Sequence, residues 1–244
     1  FRRLYLPKKL QDNVSEFKFI DDKNDVKKLS VHDIFDPNLN LSKVFRTHSA
    51  VRRNSNPKNI FSLKIGGQEI LPPTGFEWKT DETGMKKLLS KNRFYGTSPS
   101  RMFKIYFTDF PYSTLTNVWD DTIAEQYPVY AVQTDELPIQ RCILMTTDPG
   151  DIVFDPTCGS GTTAYASEHH GRRWISCDSS RISIFIAKER LMTAKFDYYT
   201  ILYPNEGLKS GFINMKIPHI TVGSIANNEP PPSEILYDTQ EIDK

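Results

Sequence analysis

Between Met102 and Thr193, short apolar runs alternate with amphipathic stretches at the spacings of strands and helices. Met102–Phe107 and Val129–Val132 are runs of strand formers. Leu137–Met145 has helical spacing and carries Pro138 in its first turn, where a missing N–H costs nothing. Pro149-Gly150 marks a turn, and Asp151–Phe154 is a short apolar strand. Thr162–His170 reads as a helix with Gly171 at its stop, followed by a strand over Trp174–Cys177. Ser179 or Ser180 caps a further helix through about Thr193, whose Ile182, Phe185 and Ile186 form an apolar stripe. This strand–helix–strand–helix order predicts an α/β architecture with a parallel sheet and right-handed crossovers.

Residues 1–100 are more polar, with mixed charge and short apolar runs. Ile60–Ile65 and Gln68–Leu71 flank Gly66-Gly67, which predicts a hairpin. Pro72-Pro73 then breaks the strand, and Thr80 is placed to cap a helix through about Lys91. After Asn227 the sequence NNEPPPSEILYDTQEIDK is acidic and proline-rich, which predicts a poorly ordered tail. There are no internal repeats.

The densest chemical signal is Asp155-Pro156-Thr157-Cys158-Gly159-Ser160-Gly161-Thr162-Thr163, between a predicted strand and a predicted helix. Glycines there let backbone approach a ligand closely, and a helix N-terminus offers free N–H groups. The next strand ends at Asp178, 17 residues after Gly161. An acid about 20 residues on binds ribose hydroxyls in this geometry. Gly159, Gly161 and Ala164 also fit the dinucleotide fingerprint. Asp155 discriminates, because a carboxylate just before the loop repels a pyrophosphate but welcomes the sulfonium and ammonium of S-adenosylmethionine. A tight turn with glycines kept only for packing is the plainer alternative. Two acids at the right strand ends weigh against it.

The stretch D-P-T-C-G-S-G-T-T resembles the cofactor motif of the amino-methylating DNA methyltransferases, which act on adenine N6 or cytosine N4. Tyr130-Ala131-Val132-Gln133-Thr134 and the helix after it resemble the family element that contacts the methionine end of the donor. Asn117-Val118-Trp119 resembles a short motif upstream of that element. The likeness covers about residues 60–225, including Pro218-His219-Ile220-Thr221, and is densest over 116–194. It implies S-adenosylmethionine as cofactor and double-stranded DNA as substrate, with adenine N6 as the acceptor. A restriction-modification setting, with a restriction subunit as a further partner, goes with it. The cofactor residues it implies are Thr134, Asp155, Pro156, Cys158, Gly159, Gly161, Thr162 and Asp178. The implied fold is a partial Rossmann-like methyltransferase sheet over 101–226, preceded by a mixed α+β recognition region over 1–100 and followed by the tail, 227–244.

The chain departs from the family at its catalytic motif, Asp-Pro-Pro-Tyr or a close variant. The nearest match is Asp109-Phe110-Pro111-Tyr112, which makes Asp109, Pro111 and Tyr112 the catalytic candidates. Phe110 replaces the first proline, and the stretch lies too near Asn117 to leave room for a recognition region between them. It therefore reads as a structural turn. A start at Phe1 in charged sequence reads as a fragment or processed product, with the catalytic half upstream or on another chain. The alternatives are a non-catalytic donor- or DNA-binding specificity module, or a methyltransferase for RNA or a small molecule.

A net charge of +1 gives no overall basic character, so any DNA-facing surface is local. The segment Arg46–Lys58 holds Arg46, Arg52, Arg53 and Lys58 with no acid, and is the DNA-backbone candidate. Lys86, Lys87, Lys91 and Arg93 read as a solvated face. His169-His170 suits the C-terminal dipole of its helix. Trp78 and Trp174 read as core. Ile152 and Phe154 read as residues that back the sheet. The three cysteines, Cys142, Cys158 and Cys177, have neither zinc nor disulfide spacing, which suits a reducing cytoplasm and no metal site. No apolar run approaches the roughly 18 residues of a membrane span, and there is no secretory signal.

Overall fold

A computed structural model describes residues 1–22, 25–54, 58–65, 67–96, 101–122, 128, 130–131 and 133–240. Among them the strands are β1 (Tyr5–Pro7), β2 (Phe19–Asp22), β3 (Asp25–Lys28), β4 (Val44–Ser49), β5 (Val51–Arg53), β6 (Leu63–Ile65), β7 (Gln68–Ile70), β8 (Phe76–Trp78), β9 (Phe94–Tyr95), β10 (Met102–Tyr106), β11 (Tyr112–Thr114), β12 (Ile152–Asp155), β13 (Arg173–Ser176), β14 (Asn214–Pro218) and β15 (Ser233–Gln240). The helices are α1 (Val31–Ile34), α2 (Glu82–Ser90), α3 (Glu136–Thr146), α4 (Thr162–His169), α5 (Arg181–Thr193) and α6 (Val222–Asn227). The chain forms two compact units, one of residues 7–112 and 217–234, the other of 1–6, 113–216 and 235–244. The division expected near residue 100 thus falls after Tyr112, and the stretch around Pro218-His219-Ile220-Thr221 joins the first of these units.

The unit built on 7–112 centres on an antiparallel sheet in the order β3-β2-β4-β10-β9. Its core gathers Ala50, Leu63, Ile70, Trp78, Met85, Leu88, Phe94, Phe103 and Ala226. Trp78 is fully enclosed, and its indole N–H donates to the Phe61 carbonyl at 2.9 Å, so the ring is buried without an orphaned donor. A second cluster joins Leu10, Phe17, Ile34, Val44 and Phe107. The predicted hairpin forms as β6 and β7, with Gly67 at φ +82°; Gly66 lies outside the described residues. Helix α2 is capped one residue later than Thr80 predicts. Asp81 is the N-cap, and its Oδ1 accepts the Gly84 N–H at 2.7 Å.

In the unit built on 113–216, the parallel pair β12–β13 is joined by α4 and followed by α5. Ser180, not Ser179, caps α5, and its side chain accepts the Ser183 N–H. The expected stripe faces outward, with Ile182 68% and Phe185 67% exposed, while Ser183 and Ala187 are the buried positions of α5. Ile152 and Phe154 are likewise exposed on β12, and Trp174 is an exposed rim residue rather than core. In the expected strand Val129–Val132, Val129 and Val132 lie outside the described residues, and Tyr130 and Ala131 form a bend and a turn. The tail expected to lack order forms β15 instead, paired with β14; residues 241–244 lie outside the described residues. Its apolar Ile235-Leu236-Tyr237 run outweighs the composition around it, and Leu236 is buried.

Candidate donor-binding site

The glycine loop turns the chain from β12 into α4. Parallel pairing continues past the strand ends, with the Cys177 N–H on the Asp155 carbonyl at 2.8 Å and the Cys158 N–H on the Cys177 carbonyl at 2.9 Å. Asp155 Oδ1 accepts the Thr157 N–H at 3.0 Å, folding the loop back over its own strand. Gly161 is the N-cap of α4 at φ +79°, a conformation that disfavours side chains, and a Cβ there would lie 2.8 Å from the Ala187 Cβ. The glycine therefore sets the approach of the loop to α5.

Asp178 reaches the same loop. Its Oδ2 accepts the Gly159 N–H at 2.9 Å and its Oδ1 accepts the Ser180 N–H at 2.8 Å. Those backbone donors, Ser180 first and then Gly159, hold its carboxyl below the usual carboxylate range. Thr162 is buried; its hydroxyl donates to the Thr134 carbonyl at 3.4 Å and accepts from Arg190 Nη1 at 3.0 Å. Thr134, Asp155, Pro156, Cys158, Gly159, Gly161, Thr162 and Asp178 thus share one locality. Burial, then the Asp178 and Asp155 carboxylates, push the Cys158 thiol up, which keeps it protonated and poorly nucleophilic.

Two arginines of this region escaped the sequence reading. Arg190 holds Thr162 and lies over the Tyr165 ring at 4.6 Å. Arg141 on α3 is buried, pairs in bidentate fashion with Asp121 and lies 5.4 Å from the Trp119 ring. It ties the Asn117-Val118-Trp119 segment to α3. Its signal was a lone cation inside the apolar run of α3. His170 also differs from expectation. It is buried, 2.6 Å from the Gln140 Nε2, and burial followed by the nearby His169 and Arg172 lowers its pKa to about 3. A neutral imidazole has no charge to offer the helix dipole.

The catalytic candidates lie in the unit of 7–112. Asp109 is buried and held by both terminal nitrogens of Arg93, and it also accepts the Tyr106 N–H at 2.8 Å. Lys8 Nζ donates to the Phe110 carbonyl at 2.9 Å, and the Phe110 ring stacks on His219 with centroids 4.3 Å apart. Arg93 therefore belongs to this internal pair rather than to a solvated face. Tyr112 opens β11, and its ring lies 6.0 Å from that of Phe110.

The basic segment is two strands rather than one loop. Arg46 on β4 pairs with Glu16 at 2.9 Å, and Arg52 on β5 pairs with the buried Glu77 at 2.9 Å. Arg53 and Lys58 are exposed, and residues 55–57 lie outside the described residues. The unit of 7–112 and 217–234 holds 19 Lys and Arg against 14 Asp and Glu, a net +5, whereas the other unit holds 12 against 16, a net −4.

Residues 108–189 match the family model for N6/N4 methylases, described as DNA methylase. The Type II methyltransferase M2.DpnII of Streptococcus pneumoniae is 33% identical over 81 residues, covering 32% of this chain and 30% of its own length. The Type II methyltransferase M.BamHI of Bacillus amyloliquefaciens is 41% identical over 86 residues, covering 32% of this chain and 19% of its own. The chain thus spans under a third of the length of these curated relatives. A crystal structure of an M1.HpyAVI–SAM complex has 23% identity and a TM-score of 0.25, covering 39% of this chain and 52% of that one.

Proposed function

We propose that this chain is the donor-binding and part of the target-recognition portion of an S-adenosylmethionine-dependent DNA methyltransferase acting on adenine N6. The observation that carries the reading is the glycine loop pinned between two strand-end carboxylates, Asp155 and Asp178. The residues present fit the donor. Asp155 suits its cationic methionine end, and an ionised carboxylate such as Asp178 has about four lone-pair sites, enough to accept ribose hydroxyls beside its two backbone donors. The Gly159–Gly161 backbone would face the methionine part, with Thr134 and Thr162 behind it. When bound, the donor supplies an electrophilic methyl group on a sulfonium.

The recognition role of the unit of 7–112 rests on its net positive charge and on Arg53 and Lys58 at its surface. The chemistry also needs an acid and a backbone carbonyl to accept hydrogen bonds from the base amine. At Asp109-Phe110 both groups are taken, by Arg93 and Lys8. That favours a catalytic half on another segment or chain, and for this chain alone it favours a non-catalytic specificity module.

Calorimetry with S-adenosylmethionine, its demethylated product and NAD tests the donor site. The methyl donor or its product should bind in preference, and tight NAD binding alone overturns the reading. Transfer of labelled methyl to mixed-sequence DNA, with and without an added half bearing Asp-Pro-Pro-Tyr, tests the division of labour. Robust transfer by this chain alone, abolished by Asp109→Ala, would show that Asp109–Tyr112 is a working motif.

A further inference from the structure

Tyr130 lies against the donor loop at Gly159. Two of its ring carbons, Cδ1 and Cε1, stand 3.7 Å from where a Cβ on Gly159 would be. The N–H of the same glycine points to Asp178 Oδ2. Gly159, at φ +52°, therefore has both a carboxylate and an aromatic ring as neighbours. Among the described residues no cation and no second ring covers Tyr130, although Arg190 and Arg141 each lie over a ring elsewhere in this unit. Tyr130 is half-buried, so one part of the ring is fixed by the loop and another part is open to a ligand.

From this geometry, and resting on the donor reading above, we infer that Tyr130 selects for the positive charge of the methyl donor through a cation–π contact with its sulfonium end. An aromatic face attracts a poorly hydrated cation and gains nothing from a neutral thioether. The donor is a sulfonium and its demethylated product is a thioether. A ring at the loop thus favours the donor over the product without a further charged group, and it lowers the hold on the product once the methyl has left.

The test is calorimetric titration of this chain with S-adenosylmethionine and with S-adenosylhomocysteine, for the native protein, Tyr130→Phe and Tyr130→Leu. Hydrogen exchange at α4 reports whether each variant keeps its loop fold. Tyr130→Phe should keep the donor preference. Tyr130→Leu should lose donor affinity by roughly 3- to 30-fold while product affinity changes little. Equal loss for both ligands, with α4 protection intact, would make the ring a packing residue and overturn the inference, as would no loss for either. Absence of binding of either ligand to the native protein removes the donor reading itself, and this inference with it.

Discussion

Replacing Gly161 by alanine probes the packing that shapes the donor loop. The new methyl group meets two obstacles. At φ +79° an alanine is left-handed, which costs about 1–2 kcal/mol relative to glycine. Its Cβ would also lie 2.8 Å from the Ala187 Cβ and 3.2 Å from the Ala187 Cα, so the obstacle is helix backbone as much as side chain. Overpacking of that kind costs typically about 1–3 kcal/mol, giving a combined loss of roughly 2–5 kcal/mol. Ala187→Gly alone should cost about 1 kcal/mol through helix propensity. In the double variant the Cβ–Cβ contact is gone, so its loss should be smaller than the two single losses together by about 1–2 kcal/mol. Urea unfolding, with hydrogen exchange at α4 and α5 to locate the change, measures all three. Strict additivity, or a Gly161→Ala protein as stable as the native one, would refute the claim that α5 sets the loop.

Three further outcomes follow from the same structure. Asp178→Asn removes the charge that the loop N–H groups bind and, on the proposed reading, that the donor meets; it should weaken donor binding by about tenfold in calorimetry, whereas unchanged affinity would exclude Asp178 from the site. His170, held near 3 in the folded protein, titrates near ~6.5 once unfolded, so the unfolded state takes the proton first; stability should fall by up to about 1.4 kcal/mol per pH unit below ~6.5 until about pH 3, and His170→Gln should remove that slope in pH-dependent unfolding. Breaking the Arg93–Asp109 pair by Asp109→Ala should destabilise the unit of 7–112 by about 3 kcal/mol or more, and the double variant with Arg93→Leu should recover part of that loss; a neutral single variant would mean the pair is not structural.

The loop and its flanking strands and helices were legible because their signals are local. A strand end, two glycines and an acid one strand later constrain one another along the sequence. The partners of individual charges were not legible, because they depend on distant chain. Arg93 read as a surface cation, yet its partner Asp109 is 16 residues away; Glu77 looked unremarkable, yet it accepts from Arg52 and from the Lys58 and Asn59 N–H groups. The net charge of +1 hid the opposite signs of the two units, since a sum over the chain carries no spatial information. The α5 stripe was legible as apolar but not as outward-facing. Periodicity identifies the face that seeks cover, not whether cover is present.

That uncovered stripe belongs with the sheet beside it. Parallel strands are usually buried on both faces, because the helices that connect them pack there. Among the described residues β12 and β13 pair only with each other, over four residues each, and Ile152, Phe154 and Ile175 are 53%, 62% and 52% exposed. Phe154 and Ile175 are register partners, so their side chains share one face of the pair. Helices α4 and α5 line a groove of about 370 Å³ with Trp174 and Ser176, the alternate positions of β13, so they occupy the other face. Among the described residues one side of the pair is therefore covered and the other exposed, at the strands whose ends carry the glycine loop. At the candidate catalytic stretch, Asp109 is held by Arg93 and the Phe110 carbonyl by Lys8.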